Sequence, residues 1–326
     1  MVATFTFSTP IQIAGTGVTA GPMEKQSVFY KLFDEFFHEE NNSSVSYEDL
    51  HSLLIEKSMR YALKKAQLTE NELSMYIGGD LINQMTPTVF SGLKFSLPVL
   101  PVFSACATVV QATCLAALVI EKTNQAVAVG TGSFHAAVER QFRYPIEYGA
   151  QKPATAQWTV SAGVVAILQP GSTGVHVTHA TIGKILDFGL TNPYDMGSAM
   201  APAAYDTILR HLEATNSCYA DYDVIMTGDL GRYGVAILTK LIADTSANLQ
   251  DAGALFYGNA TFANAGGSGA GCSAAVYYSH VLEQLQKGKW KRVLLVATGA
   301  LLSPLTFQQG KTIPVIAHAM EWRAAP

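Results

Sequence analysis

Charge is what this chain has least of. Only 14% of its 326 residues are Asp, Glu, Lys or Arg, and the formal net charge is −4. That balance argues against a nucleic-acid partner, which requires a basic face. Cysteine is sparse too, with four residues at 106, 114, 218 and 272 and no Cys-x-x-Cys spacing. A disulfide framework is thereby excluded, and a reducing compartment is expected. No metal-ligand spacing occurs, and no phosphate-cradling glycine fingerprint follows a strand in the required form. No charge precedes Glu24, so the basic start of a signal peptide is lacking. The longest uncharged stretches are broken by Pro98, Pro101, Gln111 or glycines, so none reads as a membrane span. The expectation is a soluble, cytosolic-type chain, 49% hydrophobic and long enough for one large domain or two of ordinary size.

The chain is organised around the stretch from Val102 to Ile120. It reads as a short apolar strand, a tight turn and a helix apolar on nearly every side, with no charge between Lys94 and Glu121. A helix of that kind is buried at the centre of a large domain. Cys106 falls at or just before its N-terminus, where free N–H groups and the helix dipole favour a thiolate or a bound anion. The alternative is an inert core cysteine, which is the reading for Cys114.

Residues 4–13 alternate as a half-buried strand, and Gly15, Gly17, Gly21 and Pro22 read as a loop after it. Val28, Phe29, Leu32, Phe33, Phe36 and Phe37 recur at helical spacing. Ser46 with Asp49 caps a helix running to about Ala66, and Thr69 with Glu72 forms a second capping box. Met75–Ile77 form a strand, and Ala126–Ser133 form another that ends in a glycine turn. Glu139–Gly149 gathers polar residues into a functional, interface or merely solvated loop. Trp158–Leu168 and Val175–Ile185 read as a hairpin about Gln169–Ser172, followed by a helix from Ser198 to Ala214.

The second half echoes the first. Tyr222–Leu230 repeats the strand and Gly-Asp-Leu of Met75–Leu81, and Gly271-Cys272-Ser273 opens a helix as Ala105-Cys106-Ala107 does. The interval from Cys106 to Thr131 is 25 residues, and from Cys272 to Thr298 it is 26. These echoes predict an α/β fold of two duplicated halves, 1–172 and 173–326. Its mixed, mostly parallel sheets would be layered with helices in the order αβαβα.

A duplicated α/β unit with a cysteine at the mouth of a buried helix resembles the thiolase and ketoacyl-synthase superfamily, with Cys106 at the nucleophile position and Thr159–Leu168 as the glycine-containing strand closing the first half. More specifically, Glu139–Pro145, Glu147–Gly149, Gln151–Pro153, Met196–Ala204 and Ala297–Pro304 resemble the stage V sporulation protein AD family of endospore formers. The resemblance implies a thiolase-like fold put to non-catalytic use: binding of dipicolinic acid (pyridine-2,6-dicarboxylate) for uptake into the developing spore. It further implies membrane-protein partners of the same uptake assembly and a location peripheral to the forespore membrane. A homodimer is expected, joined through the strand of Val127–Val129. No resident cofactor is expected, although Ca²⁺ could enter as the dipicolinate chelate.

The residues agree with a lost condensing activity. Some relatives carry His-x-x-Asn where this chain has Gly228–Arg232, without an imidazole to handle a carbanion. The second family position, an Asn or His, falls in Gly266–Gly271, preceded by Asn259 and Asn264. Asp251-Ala252-Gly253 departs from the Asp-Cys-Gly of the family pattern. The alternative function is a thioester-dependent acyltransferase or ketoacyl-synthase-like enzyme with Cys106 as nucleophile.

A flat dianion needs donors for two carboxylates and an apolar slot. The candidate ligand-binding residues are Cys106 with its helix mouth, the close backbone approach at Gly267 and Ser268, His135 and His318, and the cations Arg140, Arg143 and Arg232. Asp80 and Asp229 occupy equivalent turns, where holding those turns is their competing role. Arg292, at a strand entrance, is expected to be solvated.

Overall fold

In a computed structural model, residues 3–37, 45–142 and 152–325 are described. The strands are β1 (Ala3–Ala20), β2 (Glu35–Phe36), β3 (Leu73–Gly79), β4 (Val99–Pro101), β5 (Ala126–Ser133), β6 (Trp158–Thr159), β7 (Ala162–Pro170), β8 (Val175–Ile182), β9 (Val224–Thr227), β10 (Leu249–Asp251), β11 (Gly267–Ser268), β12 (Arg292–Ala300) and β13 (Val315–Ala324). The α-helices are α1 (Tyr47–Ala66), α2 (Thr86–Gly92), α3 (Thr108–Thr123), α4 (His135–Phe142), α5 (Met196–Thr215), α6 (Gly231–Ile242), α7 (Ala252–Phe256), α8 (Ala270–Val276), α9 (Leu282–Gln286) and α10 (Pro304–Gln308). A π turn, Tyr277–Val281, joins α8 to α9.

The main sheet runs β10-β9-β12-β13-β8-β1-β7-β5-β3-β4, with β2 added to β1. Outward from the β8–β1 junction, both arms repeat one pattern: two antiparallel pairings, then two parallel ones. The duplication is therefore written into the ladder. Parallel pairs lie on the two flanks, with the short β1–β2 pair added at the centre, and β7 and β13 run back antiparallel between them.

Helix α1 packs on β1 and β7, α5 packs on β12 and β13, and α3 lies between the two arms against β3, β5 and β12. Helices thus form three layers around two layers of strand. Ala105–Thr123 is long and apolar enough to cross a membrane, but it is this buried central helix. Both expected caps are present: Ser46 and Asp49 exchange hydrogen bonds at the start of α1, and Thr69 and Glu72 form a box on a 3₁₀ turn.

Four expectations are corrected, each by a contact distant in sequence. Gly15 and Gly17 do not end the first strand; β1 continues through both. A Cβ at Gly17 would lie 2.0 Å from Ser58 O, and one at Gly15 would lie 2.5 Å from Ala62 O, so these glycines let α1 press onto the strand. The aromatic run 28–37 is a 3₁₀ turn followed by β2. Asp34 N–H donates to Val18 O and Phe37 N–H to Ala20 O, drawing the segment out as a strand. The stretch 158–168 breaks after Thr159, so that β6 pairs in parallel with β11 in a separate two-stranded sheet. Finally, β7 and β8 form no hairpin. β1 lies between them, pairing with β8 through its first part and with β7 through its second, while Gly171 N–H donates to Pro10 O as the chain crosses. The expected interface strand, Val127–Val129, lies in β5 between β3 and β7, and the edge on that side is β4.

Candidate functional site

Sequence places Cys106 at the mouth of α3, and the backbone there is unusual. Ala105 adopts φ +49, a left-handed conformation that an alanine takes at a cost. A 3₁₀ turn, Ala105–Ala107, carries Cys106 into α3. The turn is locked on both sides. Thr108 Oγ1 donates to Ala105 O at 2.7 Å, and Ser104 N–H donates to Thr108 Oγ1 at 3.1 Å. From β12, Gly299 permits the close approach, since a Cβ there would lie 2.4 Å from Ser104 O.

Cys106 opens on a narrow, mainly apolar cavity of about 40 Å³. Leu81, Val138, Met196, Met200 and Ala300 supply apolar wall, and Gln157, Thr159, Asp229, Ser268 and Gly269 supply the polar groups. Leu81, Phe103, Phe142 and Leu302 also line an adjoining, more open cavity of about 230 Å³. The inner cavity meets the outer one at those four side chains.

Asp229 is the electrostatic centre. It is fully buried and hydrogen-bonded to the Cys106 side chain, and it accepts from Thr298 Oγ1 at 3.0 Å and Gly269 N–H at 3.2 Å. Burial, reinforced by the nearby charge of Asp251, pushes its pKa up to about 7 against the pull of those hydrogen bonds. Asp251 is also pushed up by burial. It accepts from Thr227 Oγ1 and the N–H groups of Leu230, Gly231 and Ala254, so it clamps the turn that carries Asp229. Gln157 bridges the same turn to β11, donating to Asp229 O at 2.7 Å and Gly267 O at 2.9 Å.

The candidate residues separate into distinct groups. Cys106, Asp229 and Ser268 meet at the inner cavity. Gly267 is just behind it; a Cβ there would lie 3.1 Å from Cys272 Sγ. Cys272 is buried, and burial and nearby carboxylates raise its pKa well above the ordinary thiol value. Asp80 does not line the cavity. It accepts from Ile82 N–H, Thr88 N–H and Thr88 Oγ1, holding its own turn.

His318 is a core histidine whose pKa burial depresses to about 4. Gly183 N–H donates to its Nδ1 at 3.2 Å, so Nε2 carries the proton and donates to Ser104 Oγ at 2.9 Å. It steadies the cysteine turn without entering the cavity. His135 stacks on Trp158 with ring centroids 4.0 Å apart, and its Nδ1 lies 3.1 Å from Thr159 O.

Arg140 is paired with Glu48 and lies over Tyr47, outside the cavity. Arg232 donates to Gly258 O. Arg143 lies outside the described residues, immediately after the cavity-lining Phe142. Arg292 is not solvated. It binds Glu321 through Nε at 2.9 Å and Nη2 at 2.7 Å, lies over the Tyr222 ring, and anchors a network in which Glu321 also accepts from Arg323 and Thr178.

Sequence reasoning did not single out Gln157, Thr298 or Leu302. Thr298 carried a signal, standing where Thr131 stands in the first half. Gln157 carried none, because its partners lie 72 and 110 residues away.

The layered duplicated fold and a cysteine on a strained turn at the mouth of the central helix define a thiolase-like protein. Solved structures share that architecture end to end. OleA of Xanthomonas campestris superposes with a TM-score of 0.63 at 12% identity, covering 98% of this chain and 99% of that one. The 3-oxoacyl-(acyl carrier protein) synthase III of Xanthomonas oryzae gives 0.61 at 11%, covering 97% and 99%. The model of the family described as stage V sporulation protein AD matches residues 2–323, and the chain belongs to that family. Stage V sporulation protein AD of Bacillus subtilis (strain 168) is 40% identical over 328 residues, spanning 99% of this chain and 97% of that protein.

Proposed function

We propose that this chain binds dipicolinate in the Cys106–Asp229 cavity and hands it to membrane proteins of a spore uptake assembly at the forespore membrane. The observation that carries the reading is the partner of Cys106. A condensing enzyme needs an imidazole or amide to stabilise a developing enolate. Here a buried carboxyl stands beside the thiol in place of an imidazole or amide, and dipicolinate would be received with Asp229 in its neutral form, which burial favours by pushing its pKa up to about 7. The apolar passage between Phe103 and Phe142 suits the face of an aromatic ring. No resident cofactor is needed; calcium would enter only as the chelate. Among the described residues, no cluster of three or more acid, histidine or cysteine side chains could hold a metal ion.

Acyl transfer from a thioester is the second reading. It is favoured by the strained Ala105 turn that presents Cys106 to the cavity. Calorimetric titration with dipicolinate, with and without Ca²⁺, and intact-mass measurement after exposure to acyl-CoA separate the two. Saturable heat without acylation supports binding. A stable thioester on Cys106 would reverse the order.

A homodimer remains part of this proposal, with the interface moved to β4. Leu100 on that edge is 43% exposed and Phe103 beyond it 48%, and a two-fold pairing of β4 would cover both. A monomer mass in light scattering across the micromolar range would remove this element.

A further inference from the structure

Asp229 brings a buried carboxyl to the wall of the inner cavity. The groups packed on it come from every side. Cys106 reaches it from the strained turn, Gly269 N–H from the segment before α8, and Thr298 from β12. Asp251 stands near it on β10, Cys272 on α8 and Tyr277 on the π turn. None of these is a cation. Arg232, three residues further along its own segment, is exposed and donates to Gly258 O.

The hydrogen bonds of the two neighbouring acids differ by one. An ionised carboxyl offers about four lone-pair positions. Asp251 fills two on each oxygen: Oδ2 accepts from Thr227 Oγ1 and Leu230 N–H, and Oδ1 from the N–H groups of Gly231 and Ala254. Asp229 accepts from Thr298 on Oδ1, from Gly269 on Oδ2 and from Cys106. One position is left on Asp229, and it is Asp229, not Asp251, that lines the cavity.

The neighbouring polar groups of the lining keep their protons for the protein. Gln157 Nε2 spends its hydrogens on Asp229 O and Gly267 O, and Thr159 Oγ1 donates to Glu139 Oε1 at 3.0 Å. Ser268 adds a hydroxyl. An anion entering here meets an ionised Asp229 whose charge none of its neighbours offsets, and two carboxylates that share a site cannot both stay ionised.

We infer that the chain takes up one proton from solvent with each dipicolinate it binds, and that Asp229 receives it on its remaining lone pair. The linkage rests on the dipicolinate reading of this cavity. Protonation turns Asp229 from a repelling carboxylate into an O–H donor aimed at the incoming carboxylate, and a hydrogen bond of that kind is a strong one. Burial has already pushed the pKa of Asp229 up to about 7. The empty site is therefore mostly charged at pH 8 and mostly neutral at pH 6, and affinity falls as pH rises through about 7.

The test is calorimetric titration of the full chain with dipicolinate at pH 6 and pH 8, each in two buffers of very different ionisation enthalpy. The dependence of the heat on buffer counts the protons taken up. Wild type should take up roughly one proton per ligand at pH 8 and few at pH 6, and should bind roughly tenfold more weakly at pH 8. Glu24→Gln, which removes the other carboxyl raised to about 7, lies outside the cavity and should keep this behaviour. Asp229→Asn should exchange no proton and bind equally at both pH values; Asp229→Ser replaces it if melting curves show that the first variant does not fold. Saturable binding with equal heats in both buffers at pH 8 overturns the inference and leaves the binding reading standing. Uptake that persists without Asp229 also overturns it. Absence of binding heat at both pH values removes the binding reading, and the linkage with it.

Discussion

Cys106 and Asp229 are hydrogen-bonded through their side chains although 123 residues separate them, one from each half of the duplicated chain. The acid at the equivalent turn of the first half, Asp80, is consumed by Ile82 and Thr88 and never reaches the cavity. Two turns alike in sequence have thus diverged, one into a clamp and the other into a site.

That pairing makes the reactivity of Cys106 testable. A carboxylate accepting from a thiol opposes its ionisation. Asp229→Asn should therefore speed alkylation of Cys106 by iodoacetamide at neutral pH, measured by peptide mass spectrometry. Exposed Cys218 should react first in both proteins, while buried Cys114 and Cys272 stay unmodified. Unchanged or slower alkylation of Cys106 in the variant would contradict the arrangement.

Buried acids give stability a signed pH dependence. Asp229 rises from 3.8 and Glu24 from 4.5, both to about 7 and both chiefly through burial. Their folded pKa values exceed the unfolded ones, so each contributes stability that is complete below the unfolded pKa and lost as pH rises through about 7. Buried His318, depressed to about 4, acts oppositely, but only up to its unfolded value of 6.5. Between pH 6.5 and 7.5 the opposing slope of His318 fades as the unfolded imidazole loses its remaining protons, while the carboxyls still titrate. Relative to wild type, the stability of Glu24→Gln and of Asp229→Asn should each fall less, or rise more, with pH across that interval in chemical denaturation. A slope unchanged in both variants would refute this account.

Arg292 offers a contrast with Arg140. Removing Arg292 strips both of its N–H donors from Oε2 of the fully buried Glu321, which keeps Arg323 on Oε1, and should cost roughly 2–3 kcal/mol. Arg140→Ala breaks a half-exposed pair with Glu48 and should cost no more than about 1 kcal/mol. Urea unfolding of both variants checks the ranking, and a small loss in Arg292→Ala would contradict it.

The strand glycines make a packing prediction. Gly17→Ala drives a Cβ into the Ser58 carbonyl and should destabilise by about 1–3 kcal/mol or more, whereas Gly228→Ala meets nothing closer than 3.3 Å and should cost less. Thermal melts decide it; equal losses would mean that α1 yields easily.

Much of this was legible in the sequence where the cause is local or repeated. Ser46 and Asp49 announce a helix start because they bond each other. The apolar run behind Cys106 announces burial on every side, and the paired Cys-to-Thr-Gly intervals announce two halves. What was hidden depends on distant partners. Phe29 and Phe33 have helical spacing, yet hydrogen bonds from Asp34 and Phe37 to the end of β1 draw the following residues into a strand. Gly15 and Gly17 look like loop residues until α1 is laid across them. Arg292 looks solvated until Glu321, 29 residues on, is brought beside it. Gln157 had no signature at all.

The central claim is that dipicolinate occupies the Cys106–Asp229 cavity, and calorimetric titration of wild type against Leu302→Trp tests it most directly. Leu302 is half-buried where the inner and outer cavities meet, so the indole blocks the passage without entering the core. Wild type should bind one dipicolinate per chain, and Leu302→Trp, with an unchanged melting curve, should bind at least roughly tenfold more weakly. Equal affinity in the two proteins, or no binding heat in wild type with or without Ca²⁺, would contradict the account.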